Sequence, residues 1–118
     1  MFVLRKKNYF VFILLIFFAN PVNAIGVQEY EKLKESSKVL IKTYVRGLGD
    51  GYLWSSIIVR GRGDAGLYCP PMRLALNAEN YIQIIDEQIA NSHDSELANT
   101  DIALILYDGL VESFPCSD

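Results

Sequence analysis

Three side chains in this sequence have the chemistry of a reactive centre: the two cysteines, Cys69 and Cys116, and the one histidine, His93. A cysteine nucleophile needs a histidine within about 3 Å and a third group to orient that histidine. Here one histidine would have to serve cysteines 47 positions apart, and nothing in the sequence supplies the third group. A zinc site fails similarly, because two cysteines and one histidine leave a tetrahedral ion one ligand short, and no metal-type spacing links them. The glycines of Arg60-Gly61-Arg62-Gly63-Asp64-Ala65-Gly66 do not make a phosphate loop, since no Gly-Lys-Ser/Thr ending follows and no strand precedes. Arg62-Gly63-Asp64 matches an integrin-type tripeptide, but three residues recur by chance too often to carry weight. The expectation is a protein with no catalytic residue, no metal and no cofactor, which acts by binding.

What the cysteines do depends on compartment. Arg5, Lys6 and Lys7 precede Tyr9 to Ala19, eleven uncharged and mostly apolar residues, and Val22-Asn23-Ala24 follows. A basic stretch, a short apolar run and a small residue at the cut make a secretory signal, with cleavage expected after Ala24. Eleven residues rise only about 16 Å as a helix against a hydrocarbon core of about 30 Å, so no stable membrane anchor is expected. Residues 25–118 would then be a single mature domain of 94 residues, a size that suits one core. Three of the eleven basic residues leave with the leader and none of the fourteen acidic ones do, which takes the net charge from −3 to −6. No basic stripe is left to meet phosphates, which excludes nucleic acid as a partner class. A basic protein partner fits better, because opposite fields speed encounter.

In an oxidising compartment a lone cysteine pair is normally bridged. A Cys69–Cys116 bridge closes a loop of 47 residues and is worth about 4 kcal/mol on the chain-entropy estimate. For a small domain whose whole stability is about 5 to 10 kcal/mol, that is a large share.

The elements that position these residues read as helices throughout. From Gln28, the residues Tyr30, Leu33, Ser37, Leu40, Tyr44 and Leu48 step by three or four, and Ile41 and Val45 widen the stripe. Gly47, Gly49 and Gly51 then either end the helix or are carried within it to about Val59, at roughly 1 kcal/mol per glycine. The second reading is preferred: Gly47 and Gly51 share a face where another helix, of this copy or a second one, can come close. Tyr44, Tyr52 and Trp54 would then contribute to the core beside the crossing. Residues 60–66 form a flexible loop leading to Tyr68-Cys69-Pro70-Pro71. Asn77 is placed as an N-cap, with Tyr81, Ile82, Ile85 and Ile89 as the apolar face of the helix that follows. Residues 91–95 are a polar connection. A last helix from Leu97 or Thr100 to Ser113 carries Leu97, Ile102, Ile105, Leu106, Leu110 and Phe114 on one stripe, and Pro115 stops it. The fold class expected is all-α: three to five helices on one disulfide.

Three stretches carry a family resemblance: Tyr44-Val45-Arg46-Gly47-Leu48-Gly49-Asp50-Gly51, Tyr68-Cys69-Pro70-Pro71, and Leu110-Val111-Glu112-Ser113-Phe114-Pro115-Cys116. In that order they resemble the Rap1a/Tai family of immunity proteins, whose pattern is roughly Tyr-x-x-Gly-x-x-Asp-Gly, Cys-x-Pro and a terminal Ala-Phe-Pro-Cys. Departures are visible. His93-Asp94-Ser95 stands where His-Pro-Glu is common, and Ser37 and Thr43 lie where many relatives carry further cysteines. The resemblance implies a periplasmic, helical protein of a toxin–antitoxin-like pair. It would form a homodimer and would bind and inhibit a peptidoglycan amidase delivered by type VI secretion, covering the enzyme's cleft.

An inhibitor of a cleft enzyme needs a protrusion and a collar that excludes water. Two segments offer them. His93, Asp94, Ser95 and Glu96 are expected as the plug, since an imidazole or carboxylate can pair with a catalytic Cys-His couple. Arg60, Arg62, Asp64 and Tyr68 are expected as the rim. The competing class is a periplasmic stress or chaperone-like helical module, or another protein-binding one. A single histidine argues against an acid-triggered chaperone, which needs many groups titrating near its working pH.

Overall fold

The structure is a computed structural model that describes residues 24–70 and 75–117; of the expected leader, residues 1–24, all but Ala24 lie outside the described residues. Four α-helices carry the fold: α1 (Val27–Ser36), α2 (Lys38–Gly61), α3 (Ala78–Asn91) and α4 (Ile102–Ser113), with a 3₁₀ turn at Leu97–Asn99. Among the described residues there is no sheet, only an isolated antiparallel bridge between Gly26 and Asp101, so the all-α expectation holds. No described helix is long and apolar enough to cross a membrane.

The helix expected to start at Gln28 and run unbroken is two helices. Ser37, at φ −146° and ψ 63°, ends α1 and begins α2. Two consecutive serines invite the break, because their hydroxyls compete for backbone groups; the Ser36 hydroxyl donates to the Lys32 carbonyl at 3.0 Å. The break also resets the phase of the apolar stripe. Ile41 and Val45, expected as the widening of the stripe, become its fully buried centre, whereas Leu40 is 54% exposed. Downstream, α2 runs through all three glycines to Gly61, as preferred from sequence.

The glycine that admits a neighbouring helix is not one of the expected pair. A Cβ at Gly47 or Gly51 would meet nothing within 4 Å, whereas a Cβ at Gly49 would overlap the Tyr81 ring of α3. Gly109 gives α4 the same closeness to α3, where a Cβ would collide with Ile84. Thus α3 is seated against two glycines, one on α2 and one on α4, with Tyr81 and Ile85 facing the core. Its start is fixed by a reciprocal cap, Asn77 side chain to the Asn80 amide and Asn80 side chain to the Asn77 amide. Asp86 ties α3 to α1, accepting from the Tyr30 hydroxyl at 2.8 Å and the Lys34 ammonium at 2.9 Å. Trp54, expected in the core, is 63% exposed, and Tyr52 instead reaches α4 by donating to the Ala103 carbonyl at 2.8 Å.

The largest fully buried side chains are Tyr30, Tyr68 and Tyr81. Burial, and for Tyr30 the hydrogen bond to Asp86, holds all three phenols above their ordinary value; Tyr68 is pushed up to about 12. A folded-state pKa raised above the unfolded one means stability that is complete below about pH 10 and is lost as pH rises from there toward the folded values. Cooperative loss of helix is therefore expected above about pH 10, coincident with tyrosinate absorbance at 295 nm. Tyrosines ionising gradually with the ellipticity intact would contradict this packing.

Candidate functional site

Both expected interface segments flank α4, at opposite ends. The loop after α2 is bound to the C-terminal end of α4 by the Cys69–Cys116 bridge, whose Cα atoms are 4.8 Å apart. The Cys69 amide also donates to the Phe114 carbonyl at 2.8 Å. The polar connection after α3 feeds the 3₁₀ turn at the N-terminal end, where the Ile102 amide donates to the Ile25 carbonyl and the Val27 amide to the Thr100 carbonyl. The twelve residues of α4 rise about 18 Å, so plug and rim stand roughly that far apart. They do not converge on one pocket.

Neither segment is a loose loop. Arg60 to Asp64 was expected to be flexible, yet it closes α2 in a Schellman cap. The Gly63 amide donates to the Arg60 carbonyl at 3.0 Å and the Asp64 amide to the Val59 carbonyl at 3.2 Å, with Gly63 at φ 84°. Arg60 and Arg62 thus sit where cations complement the negative end of the helix dipole. The Arg60 stem lies over Gly66, where a Cβ would come within 2.7 Å of its Cδ. Arg60, Arg62 and Asp64 all remain open to solvent.

Tyr68 is a correction. It was expected on the rim, but it is fully buried against Phe114, with ring centroids 6.5 Å apart. Its carbonyl accepts from the buried Ser56 hydroxyl at 2.7 Å. The cause is the bridge one residue on, which draws the chain onto the end of α4. The Tyr68 hydroxyl has no partner among the described residues, and an unpaired buried hydroxyl costs stability. Tyr68→Phe is accordingly expected to keep the fold and gain up to about 1 kcal/mol in urea unfolding; a loss of that size would show that the hydroxyl is engaged.

At the other end, Asp94 is the organiser. Its amide donates to the Ser92 hydroxyl at 3.2 Å, and its carboxylate accepts from the Glu96 amide at 2.9 Å, which leads the chain into the 3₁₀ turn. His93, Asp94, Ser95 and Glu96 are all exposed. Beside them opens a cleft of about 320 Å³ between α3 and α4, lined by Gln88, Ser92, Asp94, Thr100, Leu104 and Asp108. No local pattern marks Gln88 and Asp108 as neighbours of this turn, because that depends on how α3 and α4 cross. Asp108 and Glu112, the latter accepting from the Gln88 amide at 2.7 Å, extend an acidic strip away from Asp94. The described residues hold no cluster of three or more His, Cys, Asp or Glu able to bind a metal ion.

Also missed was the outer face of α2, where Val39, Leu40, Trp54, Ile57 and Ile58 are exposed by 47 to 79%. The signal was present as a second apolar series, Leu40, Gly47, Gly51, Trp54 and Ile58 at helical spacing, on the face opposite Ile41, Val45 and Gly49. Set against protein-family models, curated proteins and solved structures, the chain has no match.

Proposed function

We propose that this chain is a periplasmic immunity-type protein that binds a cysteine amidase of peptidoglycan, delivered by type VI secretion, and blocks its cleft. The observation that carries the reading is the bridge: the two cysteines on which the family resemblance rests pair with each other and fix the ends of the segments beside them. A bridged pair fits an oxidising compartment, and the leader expected over residues 1–24 would deliver the chain there. The polar turn serves as the plug. Its backbone is set by Asp94, which limits the ordering cost of binding, while His93 and Glu96 project freely. The acidic strip along Asp94, Asp108 and Glu112 supplies the field that steers a basic enzyme surface. Arg60, Arg62 and Asp64, about 18 Å away along α4, act as a separate outer contact rather than as a rim around the plug.

The reading is tested in cells that export such an amidase to their own periplasm. The full chain is expected to prevent lysis, and a chain lacking residues 1–24 to give no protection. Combined alanine substitution of His93, Asp94 and Glu96 is expected to weaken inhibition of the purified enzyme by more than about tenfold, and substitution of Arg60, Arg62 and Asp64 by less. Lysis in every pairing with amidases of this class would sink the proposal.

A further inference from the structure

The mature charge of −6 is unevenly spread. Residues 38–64, which are α2 with its cap, hold five of the eight mature basic residues and two of the fourteen acidic ones. They are net positive on an otherwise acidic chain. Lys42 is matched by Glu79 of α3, and Arg46 by Asp50. Lys38, Arg60 and Arg62 are exposed and make no ion pair among the described residues. These three cations stand at the two ends of the face of α2 that no described element covers. Lys38 adjoins Val39 and Leu40, which are 79% and 54% exposed, and the arginines follow Trp54, Ile57 and Ile58, exposed by 47 to 63%. On a helix of 3.6 residues per turn, the five apolar side chains fall in an arc about 100° wide, turned away from the buried Ile41, Val45 and Gly49. Gly47 and Gly51 lie between the two ends, where a Cβ would meet nothing. Together the five leave on the order of 500 Å² of apolar surface in water, at the upper end of what a monomer exposes in one patch.

We propose that this face lies, reversibly and in the plane of the surface, on an anionic phospholipid bilayer. The association is peripheral, since no described helix is long and apolar enough to cross a membrane. Apolar residues on one side of a helix with lysine and arginine beside them are the chemistry of a helix seated at the headgroup level. Trp54 suits that depth, having an apolar body and an N–H that stays wet. Lys38, Arg60 and Arg62 have stems long enough to lie along the apolar surface while their charges reach phosphate. Charge selects this occupant. A second copy laid antiparallel on the face about Gly49 would bring Lys38 of each chain to the level of the partner's Arg60, cation to cation, whereas a layer of phosphates meets the cations at both ends at once. The acidic majority does not oppose the contact. Asp86, Glu87, Asp108 and Glu112 belong to α3 and α4, behind α2 by at least one helix spacing of about 8 to 10 Å, which is a full Debye length in physiological salt. Asp50, nearest the face, is offset by Arg46 at 3.7 Å. The inference does not depend on the inhibitor reading.

Trp54 is the chain's one tryptophan and sits in the patch, so its emission reports the contact directly. The oxidised mature chain is mixed with vesicles of phosphatidylglycerol and phosphatidylcholine, and separately with vesicles of phosphatidylcholine alone. It is expected to pellet with the anionic vesicles and to shift its Trp54 emission to the blue as the ring leaves water. Binding to the neutral vesicles, or to the anionic ones in about 0.5 M salt, should be weaker by more than about tenfold. Ile58→Glu places a charge in the apolar arc, and the double variant Lys38→Glu, Arg62→Glu reverses a cation at each end. All three positions are exposed, so both variants should keep wild-type ellipticity while losing more than about tenfold in binding. Failure to pellet with anionic vesicles, equal binding to both kinds of vesicle, or full binding by both variants would overturn the proposal. So would Trp54 emission that is already blue without lipid and reddens on dilution, because a second copy would then occupy the face. If one variant loses its ellipticity, the other still decides.

Discussion

Gly49→Ala is expected to destabilise the protein by about 3 kcal/mol, although alanine is the better helix former by about 1 kcal/mol. At an exposed helical site the change would be favourable. Here the new methyl would lie within the Tyr81 ring, and that ring, 1% exposed, has no room to swing aside. Either α2 and α3 separate or Tyr81 leaves its rotamer, and both disturb the contact on which α3 is seated. Urea unfolding followed at 222 nm measures the loss directly. A midpoint unchanged or raised would mean that the two helices are not in contact at Gly49.

Cys116→Ser, or reduction of the wild type, is expected to remove about 4 kcal/mol, the entropy of closing a 47-residue loop. In urea that is a fall of roughly 3 M in midpoint for a domain of this size. Much of the loss is expected to concentrate at one end of the molecule. The bridge joins the chain after α2 to the end of α4, and it keeps Tyr68 packed on Phe114 and the Cys69 amide on the Phe114 carbonyl. Increased hydrogen exchange at Tyr68 and Cys69 ahead of α3 in the reduced protein would follow. A change below about 1 kcal/mol would show that those contacts hold the end of α4 without the covalent link.

Features written locally were legible from sequence. Asn77 caps α3 because its side chain and that of Asn80 answer each other's amides, a relation confined to four residues. Ile102, Ile105, Leu106 and Leu110 bury as their spacing predicts, because α4 is short and apolar and is followed by Pro115. The cysteine pair was fixed by arithmetic, since two cysteines admit one bridge. What escaped was set by packing between elements. The stop at Ser37 shifts the stripe by one residue, about 100° of helix, which exchanges Leu40 for Ile41. The choice of Gly49 over Gly47 and Gly51 needs Tyr81, 32 residues further on. Because α2 is apolar on both faces, periodicity alone could not say which aromatic turns inward, and Trp54 was assigned to the core with Tyr52.

At the candidate site the same division holds. His93, Asp94, Ser95, Glu96, Arg60, Arg62 and Asp64 are exposed, as polar residues at helix ends usually are. Tyr68 was misread because its neighbours are loop residues, while its own position is governed by the bridge at Cys69. The placement of the two segments at opposite ends of α4 is a property of topology, which no local pattern records.

The most direct test of the inhibitor reading is titration of the oxidised mature chain into peptidoglycan hydrolysis by purified cysteine amidases of this class. Activity is expected to fall linearly and vanish at about one chain per enzyme. Full hydrolysis in the presence of excess chain, across the class, would contradict it.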